Sequence, residues 1–228
     1  MSVVAEESGA PSAAVELPVL RLKRGEDRRL RAGHLWVFSN EVDNDATPLS
    51  GFAVGAMARV LSERDLFLGY AYVNPHALIC ARILSRSPLH PPDRSWLEHR
   101  LKVALALRER IYAAPYYRVV FGESDGLPGV IADRYADTLV VQLLSCGAER
   151  WREEITGALA ESTGCPHVYE RSDADVRTLE GLEPRSGILR GTPAAAIEIL
   201  EGERRLNSAM IPVEPVSRSA AFNDREGR

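Results

Sequence analysis

The sequence predicts an α+β protein in two parts, and three observations carry that reading. Between residues 17 and 86, short stretches rich in Val, Ile, Leu, Phe and Tyr alternate with charged or Gly/Pro/Asn turns, the pattern of a small β-barrel or sandwich. The segment SPLHPPD, 87–93, holds three prolines in seven residues, which end any strand and stiffen the connection. Beyond it a long amphipathic helix is followed by strands, one further helix and more strands. That order describes a central α/β layer with mixed strands and one crossing helix.

The first part opens on LPVLRLKRG, which alternates apolar and polar from Leu20 to Lys23 and stops at Gly25. LWVFSNEV, within RRLRAGHLWVFSNEV (28–42), is a second strand. GAMARVLSER, LFLGYAYVN and ALICARILS supply three more.

In the second part, DRSWLEHRLKVALALRERIY (93–112) reads as a helix. Leu97, Leu101, Ala104, Leu105 and Ile111 share its apolar face, Asp93 or Ser95 caps its start, and Ala114-Pro115 ends it. YYRVVFG, GVIADRY and TLVVQLLS are strands, punctuated by Gly126-Leu127-Pro128-Gly129 and Ala136-Asp137. A helix over roughly 148–162 runs into Gly164 and Pro166. HVYERS is a strand, and ILRG with AAIEILEGERRL forms a final hairpin or strand pair. The expected organisation is a disordered tail (1–16), a barrel (17–88), a central domain (92–206) and a stretch (207–228) that is either a linker or the remnant of the start of a further domain.

At 45% apolar and 26% charged residues, the 228-residue chain has an ordinary globular composition. Its net charge of −4 means that any nucleic-acid patch must be local. Cys80, Cys146 and Cys165 form no CxxC pair, which excludes a zinc-finger pattern and fits a reducing cytoplasm. The start lacks the basic and apolar segments of a signal peptide. No apolar run approaches the ~20 residues of a membrane helix, so no membrane partner is expected.

The sequence carries few residues in patterns that mark chemistry. GESDGLPG (122–129) and GILRG (187–191) match neither glycine pattern that cradles a nucleotide phosphate. There is no GxSxG. His34, His76, His90, His99 and His167 lack metal-ligand spacing, and Glu153-Glu154 diverge on a helix. Glu123/Asp125 and Asp173/Asp175 are further acidic pairs without a partner that singles them out. No catalytic residue, cofactor residue or metal ligand is therefore expected.

The basic block is the stronger signal. Arg21, Lys23, Arg24, Arg28, Arg29 and Arg31 lie within eleven residues, opposed by Glu26 and Asp27. Guanidinium groups hold phosphate in bidentate fashion, and phosphate contacts dominate nucleic-acid affinity. Arg59, Arg82 and Arg86 add to the same part of the chain. His34, Trp36, Phe38 and Tyr72 offer ring faces to unpaired bases. The competing role is a solvated charged edge around a core, and Trp36 and Phe38 are weighed toward that core beside Val37. The candidate RNA-binding set is Lys23, Arg24, Arg28, Arg29, Arg31, His34, Trp36 and Tyr72.

RRLRAGHLWVFSNEV resembles the opening of the PUA-like domain in the bacterial 23S rRNA large-subunit methyltransferase I family. GYAYVNPHALICARIL (69–84) resembles that domain's closing strands. FGESDGLPGVIADRYADTLVVQLLS (121–145) and YERSDADVRTLEGLEPRSGILRG (169–191) resemble the family's central α/β domain. The likeness spans roughly 17–206 and then fades: Ser217-Arg218-Ser219-Ala220 stands where the family has Gln-Lys-Thr-Gly, and Phe222, Asp224 and Arg225 only echo its Phe-x-Asp-Gln-Arg.

This resemblance implies a class of SAM-dependent enzymes that methylate cytosine C5 in 23S rRNA. Their glycine loop and Pro-Cys nucleophile are absent here; Cys165-Pro166 is the reverse order. The expectation is thus an RNA-binding half truncated before catalysis, with no Rossmann-type SAM domain and no cofactor in this chain, SAM belonging to the full-length family. RNA is the expected partner and a homodimer a further one. A stand-alone RNA-binding adaptor without enzymatic activity is the alternative, and a protein-interaction module a third reading.

Overall fold

A computed structural model describes residues 17–194, 196–201 and 204–209, the last two segments as backbone only. The expected tail, 1–16, and the stretch from 210 onward lie outside the described residues. The first sheet contains β1 (Val19–Arg21), β2 (Trp36–Phe38), β3 (Ala56–Leu61), β4 (Phe67–Val73) and β5 (Ile79–Ser85), in the order β1-β3-β4-β5-β2. Within this sheet β1 and β3 run parallel and the other pairs antiparallel. The two edges then meet: Leu22 bridges Val42, Lys23 N–H donates to the Glu41 carbonyl, and Asp43 N–H to that of Arg21, each donation 2.9 Å long. This closure turns the sheet into a barrel and leaves little strand edge open. Leu20, Leu22, Leu30, Val37, Val60 and Ile83 fill it, each at most 2% exposed.

LWVFSNEV was expected to be one strand. Its strand part is only Trp36–Phe38, after which Ser39–Glu41 make a 3-10 turn. The Glu41 carboxylate turns back to accept the Phe38 N–H at 2.8 Å, which favours the turn over extension. Arg28–Arg31 form a single helical turn, α1. Its carbonyl end is held by Arg86, which donates to Leu30 O at 2.8 Å and His34 O at 2.7 Å. Gly33, at φ +106°, lets the chain leave the turn.

The second sheet takes β6 (Tyr116–Phe121), β7 (Val130–Tyr135), β8 (Thr138–Leu143), β9 (His167–Ser172) and β10 (Arg185–Arg190), ordered β10-β9-β8-β7-β6. β8 and β9 are parallel and the other pairs antiparallel. The βαβ crossover between β8 and β9 carries α3 (Cys146–Arg150) and α4 (Arg152–Thr163). These were expected as one helix. Trp151 breaks it, at φ −98° and ψ 21°, and packs edge-on against Trp96 at 6.2 Å. Gly164, at φ +68°, ends α4 as expected.

α2 (Arg94–Ile111) buries Leu97, Leu101, Ala104 and Leu105 against this layer, and Asp93 caps it by accepting the Trp96 N–H at 2.8 Å. Ile111, expected on the same face, is 63% exposed because it lies in the last turn, past the sheet. A short helix, α5 (Val176–Leu179), follows β9. β10 pairs with β9, while β11 (Ala196–Glu201) and β12 (Arg204–Ala209) make the hairpin on their own. β12 reaches three residues into the stretch expected to be linker or remnant.

Candidate nucleic-acid interface

α1 is the basic centre of the surface. Leu30 is buried in the barrel, and the residues beside it necessarily face outward. Arg28 and Arg31 are exposed there, Arg31 lying 3.5 Å from Asp27. Lys23, Arg24 and His34 flank the turn and are exposed as well. Lys23 Nζ donates to the Asn40 carbonyl at 2.9 Å. Among the described residues neither Arg24 nor Arg28 enters an ion pair. The structure thus brings Lys23, Arg24, Arg28, Arg31 and His34 together around one helical turn.

Arg29 does something else. It pairs with Glu41 at 2.7 Å and lies over the Phe38 ring at 4.8 Å. Glu41 is 5% exposed, so Arg29 neutralises a carboxylate buried in the barrel wall. Phosphate recognition is left to its neighbours.

The two aromatic candidates part company. Trp36 is 39% exposed, not core as weighed. Its Nε1 donates to Glu123 Oε1 at 2.8 Å, and Arg82 lies over its ring at 5.5 Å. Tyr72 is buried and offers no face to a base. Its ring lies where any Cβ on Gly147 would fall, 2.1 Å from Cδ1, and its hydroxyl donates to Pro128 O at 3.4 Å. Burial pushes its hydroxyl pKa well above 10.0. Tyr72 is a packing residue between barrel and central layer, which corrects its place in the candidate set.

Arg82 and Arg86, counted with the basic block, are spent internally. Arg86 holds α1. Arg82 donates to Glu180 at 2.6 Å and to Glu123 at 3.3 Å. Asn74 Nδ2 donates to Glu180 Oε2 at 3.1 Å and to its carbonyl at 3.0 Å. The Cys146 N–H also reaches Glu180, at 3.3 Å. Burial would raise the Glu180 carboxyl, but the bonds from Arg82 and Asn74 outweigh it and hold the group below 4.5. Burial, aided by Glu180, pushes the Cys146 thiol up to about 12, so it is no nucleophile. Asn74, Arg82, Glu123 and Glu180 were not singled out from the sequence as a set. Their one signal is that each falls in one of the three segments from 69 onward that carry the family resemblance.

The comparisons with known proteins fit this architecture. Residues 20–86 match the family model described as a PUA-like domain. Ribosomal RNA large subunit methyltransferase I of Alteromonas mediterranea is 39% identical over 184 residues, 79% of this chain and 45% of that protein. The Shewanella denitrificans protein of that name is 39% identical over 80% of this chain and 46% of its own length. That from Vibrio cholerae is 40% identical over 76% and 44%. The chain spans about half the length of the curated relatives it matches.

Two solved structures share the fold at 18% identity over 84% of this chain. One is a chain described as a SAM-dependent methyltransferase from Streptococcus mutans, with a TM-score of 0.67 over 48% of its length. The other, described as a methyltransferase complexed with SAH, scores 0.68 over 47%.

These neighbours correct two expectations. The chain was expected to hold the PUA-like barrel and central domain of a methyltransferase, with no Rossmann-type SAM domain. The fold is instead one that methyltransferase chains carry. The expectation of a chain without a cofactor falls with it, since a protein of this fold is described in complex with SAH. A motif search reads only local loops, and these proteins share a fold at low identity.

The β8–α3 turn is where a βαβ unit would ordinarily receive a nucleotide. It does not fit one here. Tyr72 fills the space at Gly147, Glu180 occupies the Cys146 N–H, and Ser145 Oγ accepts the Ala148 N–H at 3.3 Å. Among the described residues, no helix is long and apolar enough to cross a membrane and no cluster could hold a metal ion.

Proposed function

We propose that this chain is the RNA-gripping part of a SAM-dependent 23S rRNA cytosine-C5 methyltransferase. The observation that carries the reading is the α1 surface, on which Arg28 and Arg31 stand out from a PUA-like barrel without serving its core. Lys23, Arg24 and His34 widen that surface, and Trp36 borders the seam with the central layer. The names of the relatives support rRNA as the substrate, and the structural neighbours support SAM as methyl donor. In this reading residues 17–88 hold RNA, and 92–206 fix its direction through the Arg82–Glu180 contact.

The described residues supply grip and orientation. Arg28 and Arg31 hold phosphates, and the barrel keeps α1 rigid. Buried, unpaired Cys80, Cys146 and Cys165 suit a cytoplasmic protein. α2 turns Val103, Leu107 and Ile111 outward at 51, 50 and 63% exposure, an apolar stripe that supports a homodimer. A filter-binding titration with structured 23S rRNA fragments tests the proposal. The chain binds, and Arg28→Ala/Arg31→Ala weakens binding. An equal affinity for the double variant would refute it.

A further inference from the structure

The proline-rich connection between barrel and central layer is folded against both. Tyr70 donates its hydroxyl proton to the Pro88 carbonyl at 2.9 Å, and Ser85 Oγ donates to the His90 carbonyl at 3.1 Å. Between this strap and the first turns of α2 lies a cleft of about 410 Å³, within the range of small-ligand sites.

Its walls combine two chemistries. Trp96, Leu89 and Pro91 are apolar, while His90, His99 and Arg100 bring ring N–H and guanidinium donors. Arg100 is fixed in place: its Nε and Nη2 donate to the Asp125 carbonyl at 3.1 and 2.8 Å, and Gly126 leaves it room, since a Cβ there would fall 2.1 Å from Nη2. Its Nη1 makes no hydrogen bond among the described residues. Asp93 is the cleft's acid, and its carboxylate accepts from the Trp96 N–H and the Ser95 hydroxyl, both at 2.8 Å. The cleft adjoins the basic surface, because Arg86 at the head of the strap holds the carbonyls of Leu30 and His34 in and just beyond α1.

We infer that this cleft receives one unpaired nucleotide of the RNA held by α1, its base against Trp96, Leu89 and Pro91 and its phosphate toward His90, His99 and Arg100. The inference rests on the RNA-binding reading. An aromatic wall stacks any base, and donors beside it take the backbone phosphate. A paired strand cannot enter, because its bases are stacked inside the duplex.

The test uses the full chain and two short RNA duplexes, one carrying a single bulged nucleotide and one fully paired. The wild type binds the bulged duplex more tightly. His90→Ala/His99→Ala lowers that affinity about tenfold and leaves the paired duplex unchanged. Ser87→Trp, which fills the cleft without touching α1, has the same selective effect, and thermal melting checks that both variants fold. An equal loss on both duplexes, or no loss on either, overturns the cleft while leaving the RNA reading intact. Binding of AMP or SAH that the cleft variants abolish, with no bulge preference, assigns it to a free nucleotide and also overturns the inference. A wild type that binds neither duplex removes the RNA reading itself.

Discussion

The guanidinium of Arg82 on β5 lies 2.6 Å from the carboxylate of Glu180, just past α5, and this contact ties the barrel to the central layer. The Glu180 side chain is 3% exposed and that of Arg82 12%, so the pair is shielded from water. Removing one partner therefore leaves a buried charge. Arg82→Met is expected to cost about 3 kcal/mol in urea denaturation. The double variant with Glu180→Gln should cost less than the sum of the two singles, which a double-mutant cycle reads directly.

The same pair sets a pH dependence. Glu180 has a folded pKa below its ordinary value of 4.5. Its contribution to stability is thus fully present above about 4.5 and is lost as pH falls through the depressed folded value. Unfolding midpoints measured from neutral pH downward should drop in that acid window. Glu180→Gln should flatten that part of the fall and leave the profile above pH 5 parallel to wild type.

Gly147→Ala forces a methyl into the Tyr72 ring, where a Cβ would lie 2.1 Å from Cδ1. A buried ring yields poorly, and overpacking of this kind costs about 1–3 kcal/mol. Tyr72→Leu in the same chain should recover part of that loss, a non-additivity measurable by thermal melting.

Neighbouring arginines should separate into two classes. Arg29→Ala leaves Glu41, 5% exposed, without its cation, and should lower stability by about 2 kcal/mol. Arg28→Ala and Arg31→Ala should shift stability by less than about 0.5 kcal/mol, since both face solvent. Circular dichroism melts of the three single variants decide this.

What was legible in the sequence follows from range. Alternation over residues 56–85 placed β3, β4 and β5, because a period of two is a local property. Asp93, Gly164 and the helix between SPLHPPD and Ala114 were readable for the same reason. Tyr72 was not: a half-apolar ring at a strand position looks alike whether it faces solvent or a glycine 75 residues on. Trp36 escaped the core because its partner is Glu123, 87 residues on in the 3-10 turn after β6, and Arg82 joined a basic block that it does not serve. The seam became visible only when three distant segments were placed side by side.

If phosphate contacts from α1 hold RNA, affinity must weaken as salt rises. The salt dependence of RNA affinity tests these contacts most directly, because each phosphate neutralised contributes about 0.7–0.9 to the slope of log K against log salt. The slope for Arg28→Ala/Arg31→Ala is expected to be shallower than wild type by about 1.5, with an intact fold. A slope unchanged from wild type would contradict RNA binding by α1.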